Sequence, residues 1–106
     1  MKNLGLQGLE LQDLRYFVAV ASHETCNISE VAEKLHMAQP NLSSSIKDLE
    51  KRLDVTLFNR KKRPLQLTTA GQEFFQEAVL ILTAMNRAVE NVRKTSKGEI
   101  GRLTIG

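Results

Sequence analysis

The sequence predicts a mainly α-helical fold, a winged helix-turn-helix of three helices and a two-stranded wing, followed by one long helix. Apolar residues recur at helical spacing in three early segments, two short β-prone runs flank a basic stretch, and a heptad-like repeat fills the last third. A chain of 106 residues is long enough for one small domain and too short for two independent cores. We therefore expect a winged helix-turn-helix domain over residues 1–67, a linker and dimerisation helix over 68–97, and a hinge with the start of a further domain over 98–106.

The first two helices are predicted from apolar spacing and capping residues. Leu11, Leu14, Phe17, Val18 and Ala21 place the first helix at about 12–22, and Asp13 favours its start. Ser29 is expected to cap a second, short helix that ends near His36, with Glu30 beside the positive end of its dipole.

The third helix and the wing follow in sequence. Pro40 is tolerated in the first turn of a helix whose buried residues are Leu42, Ile46, Leu49 and Leu53. Asp54 occupies the helix-ending position, where a left-handed residue is common. Residues 55–58 and 65–67 then predict two strands, joined by a basic tip formed by Arg60, Lys61, Lys62 and Arg63.

The longest element is predicted to open at Thr68 or Thr69 and to continue to about Lys97. Its apolar positions step alternately by three and four residues, with a second row at steps of seven beside them. The resulting stripe is too wide for a two-helix seam, so part should pack on the domain and part on a partner subunit; a monomeric brace is the alternative. The candidate dimerisation residues are Phe74, Ala78, Ile81, Leu82, Met85, Ala88, Val89 and Val92.

Charge is concentrated in the middle of the chain. Residues 34–63 carry eight basic and three acidic side chains, a net charge of +5, whereas the remainder carries seven basic and nine acidic ones, a net charge of −2. Such a distribution suggests a local surface that binds a polyanion. A solvated charged helix and turn would give the same distribution.

The polar side of the third helix is the candidate surface for reading double-stranded DNA. A short helix, a tight turn and a third helix with one apolar side form the arrangement that presents the third helix to the major groove. Three consecutive serines are unfavourable in a helix, which indicates selection for something other than helix stability, although a solvated surface is the alternative. The best single candidate is Gln39, whose amide can pair with adenine. The candidate base-reading residues are Gln39, Pro40, Asn41, Ser43, Ser44 and Ser45, and the candidate backbone and wing contacts are Ser29, Lys47, Arg60, Lys61, Lys62 and Arg63.

The chemistry of an enzyme or a metal site is not indicated. The single cysteine, Cys26, lacks companions at zinc-ligand spacing, His23 and His36 have no evident partners, and no glycine-rich phosphate loop precedes a helix. We therefore expect neither a catalytic site nor a cofactor in this chain. The sequence lacks a membrane span and a secretory signal, which predicts a cytoplasmic protein. A helical module that binds partner proteins through its heptad stripe is the competing function.

A combined signature is formed by the residues Leu14 to Ala21, Ala32, Leu35, Gln39, Pro40, Leu42, Ser43, Ile46, Leu49, Glu50, Leu53, Leu57, Phe58, Arg60 and Leu67 to Gly71. By these residues the sequence resembles a known family, the LysR-type transcriptional regulators, over roughly residues 11–92. The resemblance implies a DNA-binding domain paired through its linker helix, in dimers or tetramers, on interrupted palindromes near bacterial promoters. It implies that Gln39, Pro40, Asn41, Ser43 and Ser44 face bases while Arg60 and Arg63 serve the wing. It further implies a small-molecule effector bound by a C-terminal domain, RNA polymerase as a partner, and a place on the nucleoid.

The sequence departs from the family pattern in three places. The turn over residues 22–28 is longer than is usual in the family. Ser44 and Ser45 stand where the family often has arginine and glutamine, so a guanine contact through that arginine is lost. Asp54 stands where glycine is usual. Residues 101–106 resemble the first strand of the family's effector-binding domain, so we expect this chain to be a piece of a longer protein with a hinge over residues 95–99.

Overall fold

The computed structural model describes the backbone of residues 8–102 and the side chains of residues 8–97. Its elements are α1 (Leu11–Ala21), α2 (Ile28–Lys34), α3 (Gln39–Leu53), β1 (Phe58–Asn59), β2 (Gln66–Leu67) and α4 (Thr69–Arg102). The two strands form an antiparallel pair in which Phe58 faces Leu67 and Asn59 faces Gln66. This architecture confirms the predicted fold class of three helices, a two-stranded wing and a long helix.

Side-chain caps set the starts of the first two helices. The Glu10 N–H donates to Asp13 Oδ2 at 2.9 Å, which confirms that Asp13 supports the start of α1. The prediction that Ser29 caps α2 is wrong, because Asn27 Oδ1 accepts the Glu30 N–H at 3.0 Å instead. Asn is as effective as Ser at this position, and α2 therefore begins with Ile28, one residue before Ser29.

Helix α3 begins and ends much as the sequence predicts. Pro40 lies in its first turn, and Asp54 adopts the left-handed conformation with φ of 58°. The Asp54 N–H donates to the Lys51 carbonyl and the Val55 N–H to the Glu50 carbonyl, each at 3.2 Å. These two bonds satisfy carbonyl groups at the end of α3, so the chain can turn sharply into the wing.

The core lies between α1, α3 and the first part of α4. Phe17 is fully buried and packs edge-on against Phe58, with ring centroids 5.6 Å apart, and against Phe74 at 5.2 Å. Because α1 contacts α2, α3 and α4, it fixes the orientation of α3 relative to the rest of the domain. The other fully buried large side chains are Val20, Leu42, Ile46, Leu49 and Leu57.

The wing strands are shorter than the sequence predicts. Val55, which the prediction placed in the first strand, is 41% exposed and precedes β1 by three residues. The Leu57 N–H and the Phe58 N–H donate to Glu50 Oε2 at 2.7 and 3.2 Å. The β propensity had assigned these backbone N–H groups to hydrogen bonds with the second strand. They bond to a carboxylate of α3 instead, and the two strands pair at only two residue positions.

A threonine and a glycine join α4 to the wing. Thr68 Oγ1 donates to the Thr56 carbonyl at 2.6 Å and accepts the Gly71 N–H at 2.9 Å, so Thr68 joins the start of α4 to the segment that precedes β1. A Cβ atom at Gly71 would overlap the carbonyl oxygen of Leu57. Gly71 therefore allows α4 to pack closely on its own domain rather than on a partner helix.

The apolar stripe of α4 divides between the domain and solvent. Ala78 is fully buried, and Phe74 and Leu82 are partly buried against the core, so these three candidate dimerisation residues pack at least in part on their own domain. Their contact with a partner subunit stays a prediction. The remaining candidate dimerisation residues, Ile81, Met85, Ala88, Val89 and Val92, are exposed or partly exposed.

Helix α4 is also longer than expected, because it continues to Arg102 through the hinge predicted at residues 95–99. A threonine, a serine and a glycine weaken a helix by at most about 1 kcal/mol each, which is insufficient to end one without a proline or a cap. Residues 103–106, assigned to the start of a further domain, lie outside the described residues. Over residues 8–102, none of the helices combines the length and the apolar character that a bilayer crossing requires.

Candidate nucleic-acid interface

The first two turns of α3 present a polar surface to solvent. Gln39, Pro40, Asn41 and Ser44 are all exposed, and we call these four residues the reading face. Ser43 and Ser45, also predicted to read bases, are only partly exposed because they lie closer to the buried side of the helix. The buried side consists of Leu42, Ile46 and Leu49, each at most 1% exposed. The prediction that this surface is free of internal packing is therefore confirmed.

A cleft of about 450 Å³ opens beside this surface, between the start of α2, one side of α3 and the wing. It brings together five candidate residues from three elements: Ser29 of α2, Ser43 and Lys47 of α3, and Arg60 and Arg63 of the wing. All the charged residues that line it are basic. The cleft therefore presents positive charge and hydroxyl groups, the chemistry that suits a phosphate oxygen. Its lining is Thr25, Cys26, Asn27, Ile28, Ser29, Ser43, Lys47, Arg60, Arg63, Pro64 and Leu65.

Arg60 is held by an internal ion pair. Its Nη1 donates to Glu50 Oε1 at 2.9 Å, and the Glu50 side chain is only 12% exposed. Because Glu50 also accepts the two backbone N–H groups before the wing, this pair joins the end of α3 to the base of the wing. This role of Glu50 could not be predicted, since nothing in a sequence pattern signals a contact between residues ten apart across a turn. A DNA contact by Arg60 stays a prediction.

The tip of the wing is ordered by bonds to its own backbone. Arg63 Nη1 donates to the carbonyls of Arg60 and Lys62 at 2.7 and 3.0 Å, and the Lys61 N–H donates to Asn59 Oδ1 at 3.0 Å. The side chains of Lys61 and Lys62 are exposed, and within residues 8–97 neither forms an ion pair. These two ammonium groups are therefore available to an anionic partner.

The turn before α2 is organised by His23, which the sequence analysis left without a partner. Its Nδ1 accepts the N–H groups of Thr25 and Asn27 at 3.2 and 3.3 Å, and its Nε2 lies 3.0 Å from Glu30 Oε1. The ring therefore braces the long turn that forms one wall of the cleft. The missed signal was the turn itself, because a longer loop leaves more backbone donors to satisfy.

Cys26 lies in the same turn with a positive φ of 51°. Burial raises the pKa of its thiol, as expected for a small structural side chain rather than a reactive one. Among the residues that the structure describes, no three His, Cys, Asp or Glu side chains are placed to hold a metal ion.

The fold and the exposed surface of α3 define a winged helix-turn-helix module with a long helix behind it. Residues 11–72 match the family model described as bacterial regulatory helix-turn-helix protein, lysR family. The chain belongs to this family, as its sequence resemblance predicted.

Named relatives and solved structures agree with this membership. The chain is 48% identical over 98 residues to the Hca operon transcriptional activator HcaR of Escherichia coli strain K12, a match that covers 92% of this chain and 32% of HcaR. It is similar to the BenM DNA-binding domain in complex with catB site 1 DNA, with 37% identity, a TM-score of 0.80, and coverage of 86% of this chain and 96% of that one.

Full-length CbnR in complex with its target DNA is also similar, with 34% identity and a TM-score of 0.74, over 86% of this chain and 31% of CbnR. The chain thus spans about a third of the length of HcaR and of the regulator TfdS, which it also matches. These relatives carry the names of transcriptional regulators and not of enzymes.

Proposed function

We propose that this chain binds double-stranded DNA in a sequence-specific manner, as the DNA-binding part of a bacterial transcriptional regulator. The observation that carries the proposal is the exposed reading face of α3 beside a cleft whose charged residues are all basic. Base edges require short donors and acceptors that can approach closely, and phosphates require nearby cations. The complexes of BenM and CbnR with DNA support the same function.

In the proposed complex, the amino-terminal half of α3 enters the major groove. Gln39, Pro40, Asn41 and the three serines then meet base edges, as the first residues of a recognition helix do. Ser29 and Lys47, at the cleft, meet backbone phosphates on one side of the groove. The wing contacts the backbone or the adjacent minor groove through Lys61, Lys62 and the Arg60 to Arg63 turn.

We also propose that a second copy of the chain covers the exposed apolar residues of α4. Ile81 is 45%, Val89 43% and Val92 67% exposed, which is a large apolar surface for one side of one helix. The charges of α4 favour an antiparallel pair: Glu73 and Glu77 lie in its first part, whereas the second part carries an excess of exposed basic residues. The two copies would place opposite charges side by side. The exposed basic residues are Arg87, Arg93, Lys94 and Lys97.

A dimer of this kind would bind two half-sites, and its symmetry predicts an interrupted palindrome. For the whole protein, we propose promoter-region binding as a dimer or tetramer, a response to a small-molecule effector outside this chain, contact with RNA polymerase, and a cytoplasmic location on the nucleoid. No cofactor is proposed for the chain itself.

Selection of bound duplexes from a random DNA pool tests the proposal. We expect enrichment of an interrupted palindrome, because sequence reading and subunit pairing would both contribute. Replacing Gln39 by Ala should weaken binding to the selected site while sedimentation still reports a dimer, which excludes a module that acts through protein contacts alone. Equal binding to all duplexes at physiological ionic strength, or no binding, would contradict the proposal.

A further inference from the structure

The reading face of α3 carries no charged side chain. Residues 39–45 contain only Gln, Pro, Asn, Leu and Ser, and the first charged residues of the helix are Lys47 and Asp48, in its third turn. At about 1.5 Å per residue, this uncharged segment extends roughly 10 Å along the helix axis, the part of a recognition helix that meets base edges. The groups that can read bases here are therefore amides, hydroxyls and an apolar proline ring.

The cationic side chains next to α3 do not supply the charge that the reading face lacks. The Arg60 guanidinium is paired with Glu50, and Arg63 donates to carbonyls of the wing turn. Lys47 lines the cleft together with both arginines, one turn beyond the reading face. The positive charge of the interface is thus placed for phosphates, which are the same in every sequence.

Base pairs differ in the hydrogen-bond donors and acceptors that they present to a protein side chain. Guanine offers two acceptors in the major groove, and its commonest specific partner is a bidentate arginine or lysine. Adenine offers an acceptor and a donor, which match the amide of Gln39 or Asn41, and thymine offers a methyl group that can contact the exposed ring of Pro40. Serine hydroxyls can bond to either kind of base pair, so the amides and the proline decide the preference. This uncharged face therefore matches A·T pairs better than G·C pairs.

We propose that the half-site read by α3 is defined by A·T base pairs and contains no position at which a guanine is recognised through a bidentate contact in the major groove. This inference rests on the proposed function, since it specifies which base pairs the same surface selects. Ser44 lies on the exposed side and has a single hydroxyl donor, so it cannot make the bidentate contact with guanine that an arginine or lysine makes.

Base analogues in the selected duplex test the inference directly. With the full chain and the site recovered from the random pool, each purine is replaced in turn by its 7-deaza form, which removes the N7 acceptor, and each thymine by uracil, which removes the methyl group. We expect 7-deazaadenine at one or more half-site positions to weaken binding by about tenfold, and 7-deazaguanine to have no effect beyond about twofold at any position. A loss of tenfold with any 7-deazaguanine would overturn the inference.

A gain-of-function variant gives an independent readout. Ser44→Arg should introduce a guanine at one position of each half-site in a repeated selection, because it supplies the missing two-donor group. Ser96→Arg adds the same charge to an exposed position of α4 and should leave the selected sequence unchanged. Selection of guanine by the native chain at the position that Ser44→Arg reads would contradict the inference.

The two proposals fail in different ways. Absence of binding, or binding without preference, removes the proposed function and this inference with it. A palindrome whose half-sites depend on guanine N7 removes the inference alone and leaves sequence-specific binding in place.

Discussion

Individual residues determine whether the long helix can approach the domain, and Gly71 is the clearest case. The Leu57 carbonyl that it faces accepts the Thr68 N–H at 2.9 Å, so that oxygen cannot move aside without breaking a backbone bond. We expect Gly71→Ala to lower the free energy of unfolding by about 2 kcal/mol, because overpacking exceeds the gain of about 1 kcal/mol in helix propensity. Urea denaturation measures this.

The neighbouring substitution Gln72→Ala is the matched control for Gly71→Ala. Gln72 is exposed one residue further along the same turn, and its replacement should change stability by less than about 0.5 kcal/mol. An unaltered denaturation midpoint in Gly71→Ala would show that α4 does not pack against Leu57 as closely as described.

Predictions about single residues were confirmed where the spacing of residues within one helix determines the outcome. The exposure of Gln39 and the burial of Leu42 follow from the 3.6-residue period, and the left-handed Asp54 follows from its place after the last apolar residue of α3. The Glu50–Arg60 pair and the partners of His23 could not be predicted in this way. They depend on how separate segments meet, which spacing within one element does not determine.

At the scale of elements, helices were predicted more closely than strands. The start of α2 and the start of the first wing strand differ from the prediction because a side chain, Asn27 or Glu50, accepts hydrogen bonds from backbone groups that propensity had assigned elsewhere. The sequence predicted that the wing lies beside α3. It did not predict that the largely buried Glu50 carboxylate attaches the wing to this helix.

The wing supplies the second prediction. Replacing Lys61 and Lys62 together by Ala should weaken binding to all duplexes alike, and it should lower the slope of log affinity against log salt by up to about 2, since each lost phosphate contact removes roughly 0.9. Titrations at several salt concentrations measure the slope. The fold should be unaffected, because the wing tip is held by Arg63 and Asn59 rather than by these side chains.

Arg15→Ala removes an exposed charge from α1, outside both the wing and the proposed helix pair, and serves as the control. It should leave the salt slope unchanged. A wing variant with the native slope would exclude the wing tip from the contact surface.

At the scale of the whole molecule, one apolar stripe performs two tasks along α4. Its first half packs on the domain through Phe74, Ala78 and Leu82, and its second half, beyond the domain, is uncovered. The sequence predicted the division in principle, because the stripe is too wide for one partner. It could not assign residues to either task, since the same spacing of three and four residues serves both.

The uncovered half supplies the third prediction, which concerns assembly. Val92 is 67% exposed in the single chain, so Val92→Asp leaves the domain intact but places an unpaired charge in the proposed helix pair. We expect monomers by sedimentation, native helical content by circular dichroism, and binding to the palindrome that is much weaker than that of the native chain and no tighter than binding to two independent half-sites. Ile81→Asp should act in the same direction.

Leu80→Asp is the matched control, because Leu80 is similarly exposed, at 64%, but lies on the opposite side of α4 from the stripe. Intact dimers in Val92→Asp, or monomers in Leu80→Asp, would show that the pair forms through another surface.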